Sequence, residues 1–208
     1  ALSAEMGACG VVVRKKDGRA DVAVKLTPGE TRKKQVFLDH KKIGRLSDMM
    51  GQVQCVIFSP EDLLLVKEGP AGRRRFLDMM LSQLSAGYFV ALQQYQRALE
   101  QRNAVIRDMK KRGGRMDAVL EPFEQAMSAQ AAVILPLRRR MIQRLNQEAS
   151  GRYEAISGRA GERFDLRYVC CMEGQPKIEE AYAERLMQGR REDLFRGGTC
   201  FGLHREDV

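Results

Sequence analysis

Tryptophan is absent from this 208-residue chain, and aromatic residues make up only 6 % of it. That leaves too little material for a platform that binds single strands by stacking bases on rings. Histidine occurs only as His40 and His204, too few and too separate for a zinc centre. The five cysteines, Cys9, Cys55, Cys170, Cys171 and Cys200, form no C-x-x-C pair and no Cys/His cluster. An odd number, an adjacent pair and no secretory leader point to reduced thiols in a cytoplasmic setting. Cys55 and Cys170 fall in apolar runs and are expected as buried filler. No window approaches the length of uncharged apolar residues that a membrane span needs. There is no G-x-x-x-x-G-K-S/T phosphate loop, and no apolar strand closing in paired acids. No catalytic residue and no metal ligand set is assigned.

Charge is plentiful. Thirty-six Lys and Arg stand against 27 Asp and Glu, a formal net charge of +9 with a pI near 9.5. Such a balance is the footprint of a phosphate-backbone binder, and equally of a basic, soluble surface. Duplex contact through the backbone would need no aromatic platform.

The first section reads as β-rich. Ala8–Arg14 and Ala20–Leu26 flank KKDG, where Asp17-Gly18 predicts a two-residue hairpin turn. Gln35–Leu38 predicts a third strand, Leu46–Met50 a helical turn, and the continuous apolar run Val53–Phe58 a buried strand. Lys33, Lys34, Lys41 and Lys42 make this region basic: either an edge guarded against aggregation or a DNA-facing surface.

The middle is helical. Tyr88, Leu92, Tyr95, Leu99, Arg102, Ile106 and Met109 recur at alternating steps of four and three, a coiled-coil-like seam. Arg102 takes an apolar slot there, a costly placement unless it meets a carboxylate on the facing helix. A second helix is predicted from about Asp117, with Pro122 near its first turn and Pro136 interrupting it. Arg138, Arg139, Arg140 and Arg144 spread around it at about 100° per residue. Most of them read as solvated; Arg140 and Arg144, four apart, share a face and are DNA-binding candidates. Phe164, Leu166 and Tyr168 alternate like a half-buried strand, and Ile178–Arg191 reads as an amphipathic helix.

Between these parts lies FSPEDLLLVKEGPAGRRRFLD, Phe58 to Asp78. Arg73, Arg74 and Arg75 open a helix against its macrodipole, each at a cost of roughly 0.3–1 kcal/mol. A partner anion is therefore expected. It could be internal, from Asp78, Glu61 or Asp62, or external, a phosphate or an acidic surface.

PEDLLLVKEGP with RRRFLD resembles the signature of the RecF family, ATP-binding proteins of bacterial recombinational DNA repair. LSQLSAGYFVALQQYQRALEQRNAVI, with Gln101, Arg102 and Asn103, resembles the long helical segment of that family. GLHRED, with His204 and Arg205, resembles its Gly-Pro-His-Arg-Asp-Asp element, with Leu203 and Glu206 as departures. The resemblance implies an α+β fold: the β-rich part of an SMC/ABC-type ATPase head with an inserted antiparallel helical lobe. Its expected divisions are 1–58 for the β-rich head part, 59–157 for a lever-like helical lobe, and 158–208 for a strand-helix-strand return to the head. It also implies an internal fragment, because the nucleotide-binding parts lie before and after this region in the family. Such a fragment is expected to be inactive alone and to hold neither the ATP nor the Mg of the full-length proteins.

The function implied is that of a weak ATPase acting as an ATP-dependent DNA-binding clamp. It would dimerise around nucleotide and help load recombinase at single-strand gaps and stalled forks. DNA, duplex or gapped, is the implied ligand, RecR and RecO are the implied partners, and the location is the bacterial cytoplasm. Pro60 and Glu61 fall where related ATPases place a loop sensing the γ-phosphate; alternatively, Glu61 caps the helix that follows Pro60. The other reading of the chain is a structural or protein-interaction module whose basic surface is incidental.

Overall fold

The computed structural model describes residues 7–15, 18–26, 34–44, 50, 51, 54, 56–112, 117–159, 161, 162 and 164–208. The chain divides into two compact units, one of Ala1–Ile57 with Ser82–Ala86, the other of Phe58–Leu81 with Gly87–Val208.

The first unit carries a four-stranded antiparallel sheet in the order β1 (Gly7–Lys15), β2 (Gly18–Leu26), β3 (Lys34–Leu38) and β4 (Lys41–Lys42). Valine-rich runs make its long first pair, since β-branched side chains fit a pleated surface. Gly18, expected in the turn, is instead paired with Lys15 as the first residue of β2; Lys16 and Asp17 lie outside the described residues. The β3–β4 hairpin was not legible in advance. Leu38 pairs with Lys41 across Asp39 and His40, both at positive φ, 48° and 64°. Two left-handed residues suit a two-residue hairpin, and Asp and His tolerate that region better than most side chains.

The expected strand at Val53–Phe58 is not formed. Residues 56–58 have no regular structure, and Val56, Ile57 and Phe58 are 99 %, 81 % and 80 % exposed. A strand needs a neighbour for its N–H and C=O groups, and no described strand borders this one. Val53, Cys55 and most of the predicted turn at Leu46–Met50 lie outside the described residues.

The second unit is built on α1 (Leu64–Lys67), α2 (Pro70–Leu84), α3 (Ala86–Arg112), α4 (Asp117–Ser157) and α5 (Ile178–Arg196). Helices α3 and α4 run antiparallel: Tyr88 meets Arg138, and further along α3 Arg102 meets Glu124, earlier in α4. The buried seam of α3 is Tyr88, Ala91, Tyr95, Ala98, Arg102 and Ile106. Ala91 and Ala98 replace the expected Leu92 and Leu99, which are partly buried beside the core. The core is completed by Met127, Ala131, Ile134, Leu135 and Ile142 from α4, Tyr182 and Leu186 from α5, and Leu203. Helix α4 is not interrupted at Pro136. The hydrogen bond lost there is offset by anchoring on both sides, since Leu135 and Arg138 are buried.

The predicted strand at Phe164–Tyr168 is not formed. Asn146 supplies what a neighbouring strand would: its Oδ1 accepts the Leu166 N–H at 2.6 Å, and its Nδ2 donates to the Leu166 carbonyl at 2.8 Å. Only an isolated bridge, Val169 to Asp207, follows. Helix α5 runs five residues beyond the predicted Arg191 and ends on Gly197, left-handed at φ 82°, whose N–H closes on the Asp193 carbonyl at 2.7 Å. None of the described helices is long and apolar enough to cross a membrane.

Candidate functional site

The seam of α3 turns Arg102 fully inward, where its guanidinium is saturated by acceptors. Nη1 donates to Asp193 Oδ2 and to the Thr199 hydroxyl, both at 2.7 Å. Nε and Nη2 reach Glu124 Oε1 at 3.2 and 2.9 Å, so the carboxylate that the apolar slot required comes from α4. Arg190 grips the same carboxylate, with Nη2 2.5 Å from Oε2. Two guanidinium and two carboxylate groups thus neutralise each other in the interior. Asn103 extends the cluster, its Oδ1 accepting the Thr199 N–H and hydroxyl at 2.7 Å each. Gln101 is exposed.

One turn pair away, a second cluster forms around Arg138, which is 2 % exposed rather than solvated as expected. Its Nη1 donates to Glu206 Oε2 at 2.8 Å, its Nη2 to Asp78 Oδ1 at 2.8 Å, and its Nε to the Tyr88 hydroxyl at 3.0 Å. The Tyr88 hydroxyl then donates to Asp78, and the Tyr168 hydroxyl to Glu206. Burial pushes both phenols well above their ordinary range, so they stay neutral donors. Arg139 also turns inward, to Cys170 Sγ at 3.1 Å and the Met172 carbonyl. Cys170 is half-buried, and burial raises its thiol.

The GLHRED segment is the hub of both clusters. Gly202 has φ 134°, and a Cβ there would collide with the Tyr95 and Tyr182 hydroxyls. Those hydroxyls lie 2.7 Å apart, and each accepts the Leu203 N–H at 3.1 Å. A proline at 203 would have no N–H to give, so the departure from the family pattern adds one donor to this turn. His204 Nε2 faces the Thr199 carbonyl at 3.0 Å and Nδ1 faces the Tyr95 hydroxyl at 3.3 Å. The carbonyl can only accept, so Nε2 carries the proton and Nδ1 receives.

Burial holds the His204 imidazole below its ordinary value of 6.5, with Arg205 and Arg74 acting in the same direction. The unfolded chain therefore takes up a proton first as pH falls, and stability present above 6.5 is lost below it. The melting temperature is expected to fall between pH 7 and pH 5.5, and less so in His204→Gln. Equal falls in both proteins would show that another group carries the effect.

The arginines that open α2 do find an internal anion, but not one of those expected. Arg73 Nε and Nη2 grip both oxygens of Asp207 at 2.8 and 2.9 Å, and Nη1 donates to the carbonyls of Leu65 and Glu68 at 3.0 and 2.7 Å. Arg73 in turn holds the Asp207 carboxyl below its ordinary range. Arg74 donates to the Glu206 carbonyl at 2.6 Å, while Arg75 and Arg205 are exposed. Asp78 belongs to Arg138, and Asp62 accepts the Ser59 N–H at 2.7 Å, closing a capping box ahead of the Pro60–Leu63 turn. Pro60 and Glu61 are exposed, and hydrogen bonds from the backbone and Ser59 keep the Glu61 carboxyl low.

Among the DNA candidates, Arg140 and Arg144 are exposed on α4, and Lys41 and Lys42 are exposed in β4. Lys34 is placed in β3 by its backbone alone, and Lys33 lies outside the described residues. The described residues do not form a nucleotide cradle. The arginine-rich start of α2 turns Arg73 and Arg74 onto Asp207 and Glu206 instead of presenting them to a phosphate. No group of metal-ligating side chains occurs among the described residues. Sequence reasoning did not find Glu124, Asp193 or Arg190, and it placed Tyr95 on the α3 seam without its hydroxyl's role at Leu203. The signal for Glu124 was Arg102 itself, which demanded an acid on the facing helix.

A small antiparallel sheet followed by long helices, with the RRRFLD and GLHRED elements tied by the Arg73–Asp207 ion pair, matches the fold of RecF, a member of the ABC/SMC-type ATPase family. Comparison with known proteins gives the same answer. The chain is 37 % identical over 202 residues to the DNA replication and repair protein RecF of Geobacillus thermodenitrificans, covering 92 % of this chain and 54 % of that protein. It is 33 % identical over 197 residues to the RecF of Ruminiclostridium cellulolyticum, covering 92 % and 52 %. Among solved structures, the recombination mediator protein RecF of the RecFOR pathway, with ATPrS, superposes with a TM-score of 0.87 at 27 % identity, over 99 % of this chain and 56 % of that one. The same protein with ATP superposes with a TM-score of 0.86. No family model matches. The chain belongs to the RecF family, and it spans about half the length of the curated relatives it matches.

Proposed function

We propose that this chain serves a RecF-type DNA repair protein that binds DNA under ATP control, as a clamp that helps load recombinase at single-strand gaps and stalled forks. The observation that carries the reading is that its RRRFLD and GLHRED elements converge on the Arg138 cluster, while its QRN element enters the Arg102 cluster. Arg73, Arg74 and Arg102 are consumed internally, so DNA contact falls to exposed cations, with Arg140 and Arg144 first. The four-stranded sheet is the head portion, the α3–α4 pair is the inserted lobe, and residues 158–208 return to the head. Nucleotide would be cradled by residues beyond these, with Pro60 and Glu61 as the loop that senses it. RecO and RecR are the partners, and nucleotide brings two copies together in the cytoplasm.

The test is a chimera in which this chain replaces the matched stretch of the Geobacillus relative. Dimerisation on adding ATP, followed by sedimentation, is expected in the unaltered chimera and reduced in Glu61→Ala. Equal dimerisation removes Glu61 from the switch.

A second reading, a protein-docking module, draws on a groove of about 550 Å³ between α4 and α5, lined by Glu121, Gln125, Glu184 and Met187 among others. Duplex affinity that ignores salt would favour it over the first.

A further inference from the structure

The stretch from Pro60 to Lys67 has little of its own to hold it in place. Neither its first turn nor α1 contains a buried residue, and Val66 is 88 % exposed. A four-residue helix is far too short to persist by backbone bonding alone. One fixed point is the Ser59–Asp62 capping box. The other is a single guanidinium, that of Arg73, on the Leu65 and Glu68 carbonyls. The opposite edge of that same rigid, planar fork holds Asp207, 134 residues further on. Asp207 is in turn bridged to Val169 by backbone, with the Val169 N–H 2.9 Å from the Asp207 carbonyl.

We propose that Arg73 is a positioning residue that locks the Pro60–Glu68 stretch to the Gly202–Asp207 segment, so that the two segments shift together. A flexible ammonium could satisfy one side and release the other; the guanidinium fork cannot turn one edge without turning both. The regulatory meaning rests on the reading of Glu61 above: a displacement at Glu61 is carried through Arg73 to the GLHRED segment, and the reverse displacement is carried back. Thermodynamic reciprocity requires both directions.

The experiment is native-state hydrogen exchange on the 208-residue chain without nucleotide, comparing wild type, Asp207→Asn and Arg73→Lys. The diagnostic amides are Glu68, bonded to the Leu64 carbonyl at 2.8 Å, and Val169. Both are expected to exchange about tenfold faster in Asp207→Asn, the ratio that corresponds to one charge-assisted hydrogen bond, and in Arg73→Lys, whose ammonium holds only one side, one of the two is expected to do so. The amides of α3 from Tyr95 to Arg102 are expected to keep wild-type protection. An unchanged Glu68 amide in Asp207→Asn overturns the proposal, because the far end of the clasp would then not matter. Loss of protection throughout α3 in both variants also overturns it, since the pair would then be a fold-wide tie and not a positioning link. The assay contains no nucleotide, so failure of the Glu61 dimerisation test would leave its result standing.

Discussion

Arg102→Met is expected to destabilise the helical unit by about 3–5 kcal/mol, the usual cost of removing one partner from a buried ion pair. At that size of protein the loss corresponds to a fall in melting temperature of roughly 6–20 °C. The cause is electrostatic and not a cavity, since methionine fills most of the stem. With Arg102 gone, Glu124 still has Arg190, but the buried Asp193 carboxylate loses the guanidinium that neutralises it. Thr199 and the Leu186 carbonyl lose a donor as well. Restoring neutrality should recover part of the loss. The double variant Arg102→Met, Asp193→Asn is therefore expected to melt above the single one, although it carries one more substitution. Asparagine keeps an oxygen for the Cys200 N–H, which Asp193 Oδ1 accepts at 2.8 Å. A single variant within 1 kcal/mol of wild type would mean that the ion cluster is not what holds α3, α4 and α5 in register.

Gly202→Ala is the second large expectation, at about 3 kcal/mol. One part is backbone strain, since φ 134° with ψ −174° is a region essentially reserved for glycine and costs of order 1–3 kcal/mol to other residues. The other part is steric, because the new methyl collides with both tyrosine hydroxyls and displaces them from the Leu203 N–H. The parts separate in a cycle. In a Tyr95→Phe, Tyr182→Phe background the steric part is gone, so the same glycine substitution should cost less, measured by urea unfolding. An equal cost in both backgrounds would assign the whole effect to the backbone.

How far the sequence was legible depended on whether a pattern carried its own partner. The α3 seam did: Tyr88, Tyr95, Arg102 and Ile106 face inward, and an arginine at a seam position announced a carboxylate nearby. Arg138 gave the same signal, three and four residues from Leu135 and Ile142, but it stood in a run of three arginines and was read as surface. Its burial at 2 % follows the seam and not the run. Alternation at Phe164–Tyr168 and the apolar run to Phe58 predicted strands that the described residues do not form, since neither pattern says whether a neighbouring strand exists. For Leu166 the neighbour is a side-chain amide, that of Asn146, which no periodicity reveals. The helix-dipole argument correctly demanded an anion near Arg73, and chose local acids over Asp207, which proximity in sequence could not suggest. The Asp39-His40 hairpin turn lacks the glycine that usually marks one.

Arg102 and Arg138 are held in the interior, and DNA contact is proposed for the exposed Arg140 and Arg144. The most direct test is duplex affinity of this chain across a salt series, with the double variant Arg140→Ala, Arg144→Ala beside wild type. Each phosphate contact contributes about 0.9 to the slope of log affinity against log salt. The account expects a steep wild-type slope, and a double variant with the same melting temperature whose slope is shallower by about 1.8, two contacts' worth. An unchanged slope in the double variant would contradict it.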